Sequence, residues 1–521
     1  MIYRLDHPHE GDLAAVVQRV GGKGASLWAM TTRLGLPTPP GFTIGCDYSE
    51  TFDEAGLTDE LVTRIDKELA WLGERLGRRY GDPEAPLLLS VRSGAPVSMP
   101  GMMETILNVG LTPEAVSGLA RYTGSEAFAL DSWQRFLSMY ANSVLDAQPP
   151  ETHASPSDPA ALHAAALELE AFVTGQIGEQ ALADPRGLLL ESIRAVFRSR
   201  HSAPARAYRR REGLPEDMGT AVTVQAMVFG NLDERSGTGV VFSRDPSTGE
   251  RALTGDWMQQ AQGEDVVAGV KATRPIDELA EAMPEVHREL ASVSDALEHF
   301  YQDMVDIEFT VERGKLWVLQ ARVGKRSAAA AVRIAVELAE DPGFSITRDE
   351  AVARIPSGIL SGERPLARGA TGGERIATGL PASPGTASGR VVMTPEDAVE
   401  TGEDADVILV RRETSPSDVH GMSAAKGVLT SLGGLMSHAA VVARDWGLPA
   451  VVGAEDLQID AGGFEVDGHR VDAGDIISID GSSGHVYLGE VGTRAGTDPN
   501  LATLREWAQD GMKDRQTGTE A

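Results

Sequence analysis

The sequence is poor in cysteine, in basic residues relative to acidic ones, and in long apolar runs. Its single cysteine, Cys46, excludes an internal disulfide. Lysine and arginine number 47 against 77 aspartate and glutamate, which gives a net charge of −30. A chain with so few cations cannot neutralise many phosphates. General nucleic-acid binding and adhesion to anionic membranes are therefore excluded as functions.

No uncharged apolar stretch reaches the roughly 18 residues that a membrane-spanning helix needs. Even the alanine-rich run that begins at Ala328 is interrupted by Arg333. Residues 1–11 carry charges and a proline where a signal peptide would carry an apolar run. We therefore expect a cytoplasmic protein with neither a membrane nor a nucleic acid among its partners.

What the sequence does contain is glycine, 57 residues of it, concentrated in short clusters beside apolar periodic segments. At roughly 150 residues per domain, the length predicts three or four folding units. Helical and strand-like patterns are mixed along the chain, and six short β-like runs fall between Gly389 and Leu488. These patterns predict an α/β (α+β) fold.

Changes in composition predict the domain boundaries. Residues 1–340 form a first domain, and residues 341–378 form a flexible linker because their second half carries Pro, Gly and Arg without a period. Residues 379–491 form a compact second domain, followed by a tail, 492–521, with a short helix. The apolar face of that helix, Leu501, Leu504 and Trp507, packs either on its own domain or on a partner.

Residues 306–322 alternate polar and apolar on both sides of a turn, which is typical of a β-hairpin. A three-residue turn, 312–314, would place Asp306, Glu308, Gln320 and Arg322 on one face, whereas a two-residue turn would split them. We favour the three-residue turn because it separates polar from apolar side chains. Two carboxylates, an amide and a guanidinium could hold a divalent metal and a polyphosphate; a merely solvated face is the alternative.

Two glycine-containing loops could bind phosphates through backbone amides and one cation each. In the first, Lys23 follows Gly21 and Gly22 before a helical pattern, and in the second, Arg92 precedes Gly94. Neither matches Gly-x4-Gly-Lys-Ser/Thr, so a P-loop fold is disfavoured. Each loop alone is weak evidence of function.

The segment 433–449 predicts a glycine loop followed by a short helix with a histidine in its first turn. Ser437 or a neighbour caps the helix, and Gly447 ends it. The amides and positive dipole end at the N-terminus would stabilise an anion carried on His438, and a neutral imidazole is a nucleophile near pH 7. The pattern favours a phosphohistidine; the other ten histidines give little support for a zinc site.

Taken in order, these segments resemble the pyruvate, phosphate dikinase family over nearly the whole chain. The stretches that carry the resemblance are 21–24 with 35–43, 90–103, 224–231, 261–269, 379–385, 413–418 and the segment around His438. Members of this family transfer phosphate from ATP through a mobile phosphohistidine domain. The resemblance implies an ATP-grasp-like nucleotide-binding domain at 1–340, joined by the linker to a swivelling β/α phosphohistidine domain at 379–491.

The resemblance also implies a role for each matching residue, with ATP as substrate and Mg²⁺ as cofactor. The implied residues are Lys23 and Arg92 for phosphates; Gln225, Met227 and Val228 beside adenine; Asp306, Glu308 and Gln320 for Mg²⁺; and Arg92, Gln320, Arg322 and His438 around the transferring group. His438 would attack the β-phosphoryl and release AMP, and inorganic phosphate would then take the terminal phosphoryl as pyrophosphate.

The chain departs from the family pattern at two points. The family carries a C-terminal β/α barrel for phosphoenolpyruvate or pyruvate, which needs roughly 250 residues, whereas 31 residues follow Glu490 in this chain of 521. We therefore expect the pyruvate site on a separate barrel protein, or a different acceptor. The family's regulatory threonine is Met436 here, so we do not expect that regulation.

Three functional hypotheses follow from the resemblance. The first is a short dikinase-like phosphotransferase that phosphorylates His438 from ATP and passes the phosphoryl to pyruvate or another small molecule. The second is a metabolite or antibiotic kinase with the same relay, although only about 50 residues separate the two domains where rifamycin phosphotransferases insert an acceptor domain. The third is a non-catalytic regulatory remnant, against which the retained site residues argue.

Overall fold

The computed structural model of the chain describes residues 1–97, 99, 103–150, 152, 158–268, 273–362, 367–435, 437–495 and 498–517. The fold is mixed α/β, as predicted. The chain divides into two compact units, Met1–Ser236 with Val311–Gln320, and Gly237–Thr310 with Ala321–Ala521. The division falls inside the predicted first domain, residues 1–340.

The first unit is built on a five-stranded antiparallel sheet covered by helices. Its elements are β1 (Ile2–Arg4), α1 (Leu13–Trp28), a π-helix (Ala29–Arg33), β2 (Gly41–Ile44), α2 (Tyr48–Ala55), α3 (Asp59–Leu76), β3 (Leu89–Gly94), β4 (Thr105–Val109), α4 (Pro113–Thr123), α5 (Glu126–Ser143), α6 (Pro159–Ile177), α7 (Glu179–Leu182), α8 (Pro185–Ser199), α9 (Ala203–Arg211) and β5 (Ala221–Ala226). The strand order is β1-β2-β5-β3-β4.

The alternation of side chains along these strands gives the sheet two different faces. Phe42 and Val224 belong to the large apolar cluster that also contains residues of α3, α5 and α8. On the other face, the hydroxyls of Thr43 and Thr223 lie 3.0 Å apart. A Cβ placed on Gly24 would lie 3.2 Å from the Thr43 hydroxyl, so α1 packs closely on this polar face.

From Gly237 onward the chain forms a sheet that we call the hairpin sheet, in the order β10-β9-β6-β7-β8, in which Val311–Gln320 belong to the first unit and the other residues to the second. The elements of this region are β6 (Gly237–Phe242), β7 (Thr254–Gln259), α10 (Gly263–Ala268), β8 (Arg274–Pro275), α11 (Asp277–Ala282), α12 (Pro284–Tyr301), β9 (Val305–Glu312) and β10 (Lys315–Val323). Its apolar cluster includes Val240, Phe242, Met258 and Met304.

The same unit carries an eight-stranded mixed sheet that we call the histidine sheet, in the order β12-β22-β21-β14-β15-β16-β17-β13. Its elements are β12 (Glu374–Thr378), β13 (Leu380–Ser383), β14 (Thr386–Val392), α16 (Pro395–Gly402), β15 (Val407–Arg411), a 3₁₀ turn (Pro416–Asp418), α17 (Val419–Ala424), β16 (Gly427–Thr430), α18 (His438–Trp446), β17 (Ala450–Val452), β21 (Ile476–Asp480) and β22 (His485–Leu488). A smaller sheet joins β18 (Gln458–Asp460), β19 (Gly463–Val466) and β20 (His469–Asp472).

Four neighbouring strands of the histidine sheet, β14 to β17, are parallel. Parallel neighbours need crossover connections, and α16, α17 and α18 supply them in turn. The six predicted β-like runs correspond to strands of this sheet. His438 therefore lies at the start of the crossover helix between β16 and β17.

The predicted linker, residues 341–378, carries regular elements in its described part, which excludes 363–366, and its role as a flexible linker stays a prediction. This segment carries α14 (Arg348–Ala353), α15 (Ser357–Ser361), β11 (Ala367–Thr371) and β12, while α13 (Ala328–Glu340) precedes it. A Thr347–Glu350 capping box fixes α14, and β11 pairs with β23 (Gly492–Ala495). A cap and pairing with a distant strand thus stabilise regular elements in a segment whose composition suggested none.

The predicted C-terminal helix is α19 (Pro499–Thr517), and it packs on its own chain. Leu501, Leu504 and Trp507 join an apolar cluster with residues of α13, α14 and α15. The Arg505 guanidinium donates to the carbonyl of Leu360 at 2.8 Å. None of the helices in the described ranges is both long and apolar enough to cross a membrane.

We predict that Leu504→Ala lowers the stability of the second unit, because Leu504 is fully buried where α19 meets α13 to α15. A buried Leu→Ala change typically costs about 2–5 kcal/mol. Denaturant unfolding of the variant should show this loss, and Glu506→Ala, an exposed change on the same helix, should stay within about 0.5 kcal/mol of the parent. Equal unfolding midpoints for both variants would contradict the packing of α19.

Candidate functional site

The predicted glycine loop before a helix is a kink within α1: Gly21 leaves the helical conformation, and Lys23 lies in the part of the helix that follows. Gly21 has φ +73°, which kinks α1 at that point. A Cβ on Gly21 would lie 1.8 Å from the carbonyl oxygen of Gly94, and the Gly22 amide donates to the Ala95 carbonyl at 2.9 Å. The kink therefore brings the backbone of α1 against the end of β3, which only glycine permits. This contact places Lys23 beside the end of the strand that carries Arg92.

Arg92 pairs through its backbone with Thr105 on β4 and Thr223 on β5. Its side chain is half-buried, and its Nε is buried without a hydrogen-bond partner in the described part of the chain. A buried donor on a cation that lacks an acceptor is costly. The first unit thus holds a donor suited to an anion, next to the Lys23 segment.

The structure gives the three residues of the predicted adenine strand different environments. Gln225 is buried, and its Nε2 donates to the carbonyl of Pro39 at 2.8 Å. Met227 belongs to the apolar core, whereas Val228 is half-buried. The next amide, that of Phe229, donates to the Glu312 carboxylate at 2.7 Å. Of the three side chains, Val228 is therefore the most accessible to a ligand.

The predicted hairpin exists, but its three-residue turn is wrong. Arg313 and Gly314 form a two-residue turn with φ +52° and +79°, and Glu312 ends β9. Positive φ at both turn positions is typical of the tight turns that suit the twist of hairpins. The sequence pattern alone could not exclude this turn. Glu312, which we had placed in the turn, is instead the acceptor for the Phe229 amide.

A two-residue turn was expected to separate Asp306 from Arg322, yet the two side chains are in contact. Arg322 Nε donates to both carboxylate oxygens of Asp306, at 2.8 and 3.1 Å. Burial along β10 alternates as far as Val318, after which the half-buried pair Leu319 and Gln320 precedes the buried Ala321. The contact between Asp306 and Arg322 therefore does not depend on the three-residue turn.

Asp306 and Glu308 differ in environment. Burial raises the pKa of Asp306, and the Arg322 guanidinium acts in the opposite direction. Glu308 is half-buried, and no hydrogen bond to its carboxylate occurs among the described residues. Gln320 is also half-buried. One carboxylate is thus held by an arginine while the other is open, an arrangement that fits a magnesium ion bound by one or two carboxylates and by phosphate oxygens.

His438 begins α18 as predicted. The Ser437 hydroxyl accepts from the Ala440 amide at 3.4 Å, and Gly447 ends the helix with φ +63°. The hydroxyl of Thr414 lies 3.1 Å from His438 Nδ1, whereas Nε2 is buried without a hydrogen-bond partner in the described part of the chain. This arrangement occupies one ring nitrogen and leaves the other available as a nucleophile.

The surroundings of His438 favour its neutral form. Burial lowers the pKa of the imidazole, and the charge of Asp418 works weakly against that effect. Asp418 also accepts from the Ser415 amide at 2.7 Å, so it fixes the loop that carries Thr414. Sequence reasoning missed Thr414 because a single hydroxyl 24 positions away carries no periodic signal. Met436 lies outside the described residues.

The glycine loop that begins at Gly433 and precedes α18, which we call the histidine loop, contacts the hairpin sheet within the second unit, and so does α18. The Leu435 amide donates to Asp256 Oδ2 on β7 at 2.9 Å. A Cβ on Gly434 would lie 2.8 Å from the same oxygen and 2.8 Å from the Thr273 hydroxyl, so glycine is needed for this approach. Val441 on α18 packs on the apolar cluster of the hairpin sheet.

A second charge from α18 approaches this sheet. Arg444 is buried, and burial lowers its pKa to about 10, while the carboxylates of Asp306 and Asp256 act in the opposite direction and Arg322 acts in the same direction as burial. The hairpin sheet and α18 thus bring two arginines and two carboxylates together. Sequence reasoning missed Asp256 and Arg444, whose patterns are those of an ordinary strand and an ordinary helix.

The site residues fall into two sets, one in each unit. Those in the first unit are Lys23, Arg92, Gln225, Met227, Val228 and Gln320, and those in the second are Asp306, Glu308, Arg322 and His438. Within the described ranges no group of three or more His, Cys, Asp or Glu side chains forms a preassembled metal site. The second unit therefore supplies a nucleophile and paired charges.

Two family models match the chain. The model described as pyruvate phosphate dikinase, AMP/ATP-binding domain, matches residues 17–71, 57–277 and 271–341. The model described as PEP-utilising enzyme, mobile domain, matches residues 403–484. The first match includes the hairpin sheet, and the second includes Thr414 and His438.

Curated relatives agree with these matches. Pyruvate, phosphate dikinase of Clostridium symbiosum is 42% identical over an alignment 535 residues long, and this alignment covers 97% of this chain and 60% of that protein. The enzyme of that name from Rhizobium meliloti (strain 1021) is 44% identical, covering 91% and 56%. Pyruvate, phosphate dikinase 2 of Oryza sativa subsp. japonica is 43% identical, covering 91% and 55%. The chain thus spans a little over half the length of these relatives.

We predict that the His438 imidazole titrates below the ordinary histidine value of 6.5, because burial disfavours the charged ring. Asp418→Asn should lower the pKa further, since the Asp418 charge raises it. An NMR titration of labelled histidine, assigned with His438→Ala, measures both values. Asp456→Asn, an exposed charge change in the same unit, serves as the control. A pKa at or above 6.5 in the parent protein would contradict this description of the site.

Proposed function

Because the chain belongs to the pyruvate, phosphate dikinase family, we propose that it transfers a phosphoryl group from ATP to His438. The observation that carries the proposal is the state of His438: Nδ1 is engaged by Thr414, Nε2 is buried and unpartnered, and burial lowers the pKa of the ring. A neutral imidazole at the start of α18 can attack phosphorus, and the helix N-terminus favours the anion that results.

We propose the following balanced reaction. The lone pair of His438 Nε2 attacks the β-phosphorus of ATP, a nitrogen–phosphorus bond forms, and the bond from that phosphorus to the oxygen of AMP breaks. Inorganic phosphate then attacks the terminal phosphorus of the pyrophosphorylated histidine and leaves as pyrophosphate. His438 keeps one phosphoryl group. In-line displacement of this kind depends on positioning and charge neutralisation more than on covalent help from the protein.

The two sets of residues would divide this work. In the first unit, Lys23 and the unpaired Nε of Arg92 would donate to phosphate oxygens. The strand Gln225 to Val228 would border the adenine through its backbone and Val228, since Gln225 and Met227 are committed to packing. In the second unit, Arg322 would neutralise charge on the transferring group.

We propose Mg²⁺ as the cofactor. Glu308 would bind it through its open carboxylate, with Asp306 and the amide oxygen of Gln320 as further ligands. When bound, the ion supplies positive charge that screens the phosphate oxygens. The Arg322 Nε donates to both oxygens of Asp306, which keeps that carboxylate in place.

The acceptor is inferred from the names of the relatives and from the kind of nucleophile that a phosphohistidine requires. The relatives are named for pyruvate and phosphate, and an enolate or hydroxyl oxygen is the nucleophile that would remove the phosphoryl group from His438. We propose pyruvate, bound on a separate phosphoenolpyruvate/pyruvate-binding barrel protein, or another small molecule. Movement of the histidine sheet toward that site is part of the proposal.

We predict that His438→Ala abolishes acid-labile labelling of the protein by β-labelled ATP, because the variant lacks the attacking nitrogen. Binding of ATP should be unchanged within about twofold, since the residues proposed to bind the nucleotide are untouched. His469→Ala, an exposed histidine in the same unit, is the matched control and should label normally. Persistent labelling of His438→Ala, or loss of its ATP binding, would contradict the proposal.

A further inference from the structure

The helix that carries His438 also carries Arg444, a buried arginine whose hydrogen bonds connect the histidine loop to the rest of its sheet. Arg444 Nη1 donates to the carbonyl of Ala382 on β13 at 2.7 Å, and Nη2 donates to the carbonyl of Leu435. Leu435 lies three residues before His438. Any displacement of this guanidinium therefore moves the loop from which the nucleophile projects.

The same guanidinium faces the hairpin sheet. Its Cζ lies 5.3 Å from the ring centroid of Phe242 on β6, within the range of a cation–π interaction. The carboxylates of Asp306 on β9 and Asp256 on β7 attract it electrostatically. Arg444 thus lies on a helix of the histidine sheet, and its positive charge is stabilised by an aromatic ring and two carboxylates of the hairpin sheet.

Leu435 is held from both sides by this arrangement. Its amide donates to Asp256 on the hairpin sheet, at 2.9 Å, and its carbonyl accepts from Arg444. One peptide segment next to the nucleophile therefore contacts the hairpin sheet and the arginine that the same sheet attracts. If Arg444 only packed inside the histidine sheet, it would not need the aromatic ring and the two carboxylates of the hairpin sheet.

We propose that Arg444 is a positioning residue for the transfer from ATP: through Leu435 and the facing charges of Asp256 and Asp306, it holds His438 in place against the hairpin sheet. The inference rests on the proposed function of His438. Arg444 lies on α18 of the histidine sheet, so its contacts with the hairpin sheet would be lost when the histidine sheet makes its proposed move to the acceptor. Arg444 should therefore matter for a donor bound at the hairpin sheet and not for a small donor in solution.

Phosphoramidate is such a small donor, because it transfers its phosphoryl group to a histidine nitrogen and releases ammonia. The experiment compares the initial rate of His438 labelling by Mg²⁺-ATP with the rate by phosphoramidate, together with ATP affinity. The variants are Arg444→Gln and Arg444→Lys. Arg470→Gln is the matched control, since Arg470 is an exposed arginine of the same unit whose guanidinium pairs with Asp460 and Asp472 of the small sheet.

We expect Arg444→Gln to label from ATP about 10- to 100-fold more slowly, because displacement of a reacting group by about 1 Å costs on the order of 100-fold. Labelling by phosphoramidate and the affinity for ATP should stay within about twofold of the parent. Arg444→Lys keeps the charge and should retain more of the ATP-dependent rate than Arg444→Gln. Arg470→Gln should change neither rate.

A second variant tests the same contact from the other side. Phe242→Leu removes the aromatic ring that Arg444 faces and changes no residue of the histidine sheet. It should slow labelling from ATP by about 2- to 5-fold. It should leave labelling by phosphoramidate unchanged. This variant keeps the inference testable if Arg444→Gln does not fold.

Two results would overturn the inference while leaving the proposed function intact. One is labelling of Arg444→Gln from ATP at the parent rate. The other is a parallel fall of both rates, which would assign Arg444 a purely structural role. If the parent protein accepts phosphoryl from phosphoramidate but never from ATP, the proposed function itself fails, and this inference fails with it.

Discussion

The pairing of the buried carboxylate of Asp306 with the Arg322 guanidinium sets the charge of the hairpin sheet at the place where Arg444 of α18 approaches it. A carboxylate at this depth is costly unless a cation contacts it, and Arg322 provides that contact with both carboxylate oxygens. The pairing fixes Asp306 and leaves Glu308 open, so that the proposed Mg²⁺ site would combine one carboxylate held in place by an arginine with one accessible carboxylate.

A buried carboxylate that is compensated by nearby donors also occurs at the histidine loop. Asp256, whose pKa is raised by burial, accepts from the Leu435 amide, and Arg444 brings a compensating charge from α18. The contacts of α18 and its preceding loop with the hairpin sheet thus combine the Leu435–Asp256 hydrogen bond, the charge of Arg444 and the packing of Val441. Contacts of this polar kind would suit the proposed movement of the histidine sheet.

Part of this architecture could be predicted from the sequence because the signals are local. Ser437 and Gly447 bracket α18 as their capping and left-handed preferences require, and the β-like runs after Gly389 match the strands of the histidine sheet. The segment 341–378 was not predictable in this way, because β11 is stabilised by β23, more than 120 positions later. Its composition describes a free chain and carries no information on that partner.

The site shows the same limit. Alternation along the hairpin identified Asp306 and Arg322, but it could not fix the two-residue turn at Arg313 and Gly314. His438 was identifiable from its loop and helix. Thr414, Asp256 and Arg444 were not, because each acts through a contact between elements distant in sequence. The residues proposed to carry the chemistry left a local pattern in the sequence, whereas the residues that contact them did not.

The most direct measurement of the central claim follows two labels in parallel. The protein is incubated with Mg²⁺, inorganic phosphate and either β-labelled or γ-labelled ATP, and acid-labile label on the protein is compared with the AMP released. The account predicts that His438 retains the β-label in equal amount to AMP, while the γ-label appears in pyrophosphate. Retention of the γ-label with release of ADP would contradict attack at the β-phosphorus, and absence of both labels would contradict phosphorylation of His438 by ATP.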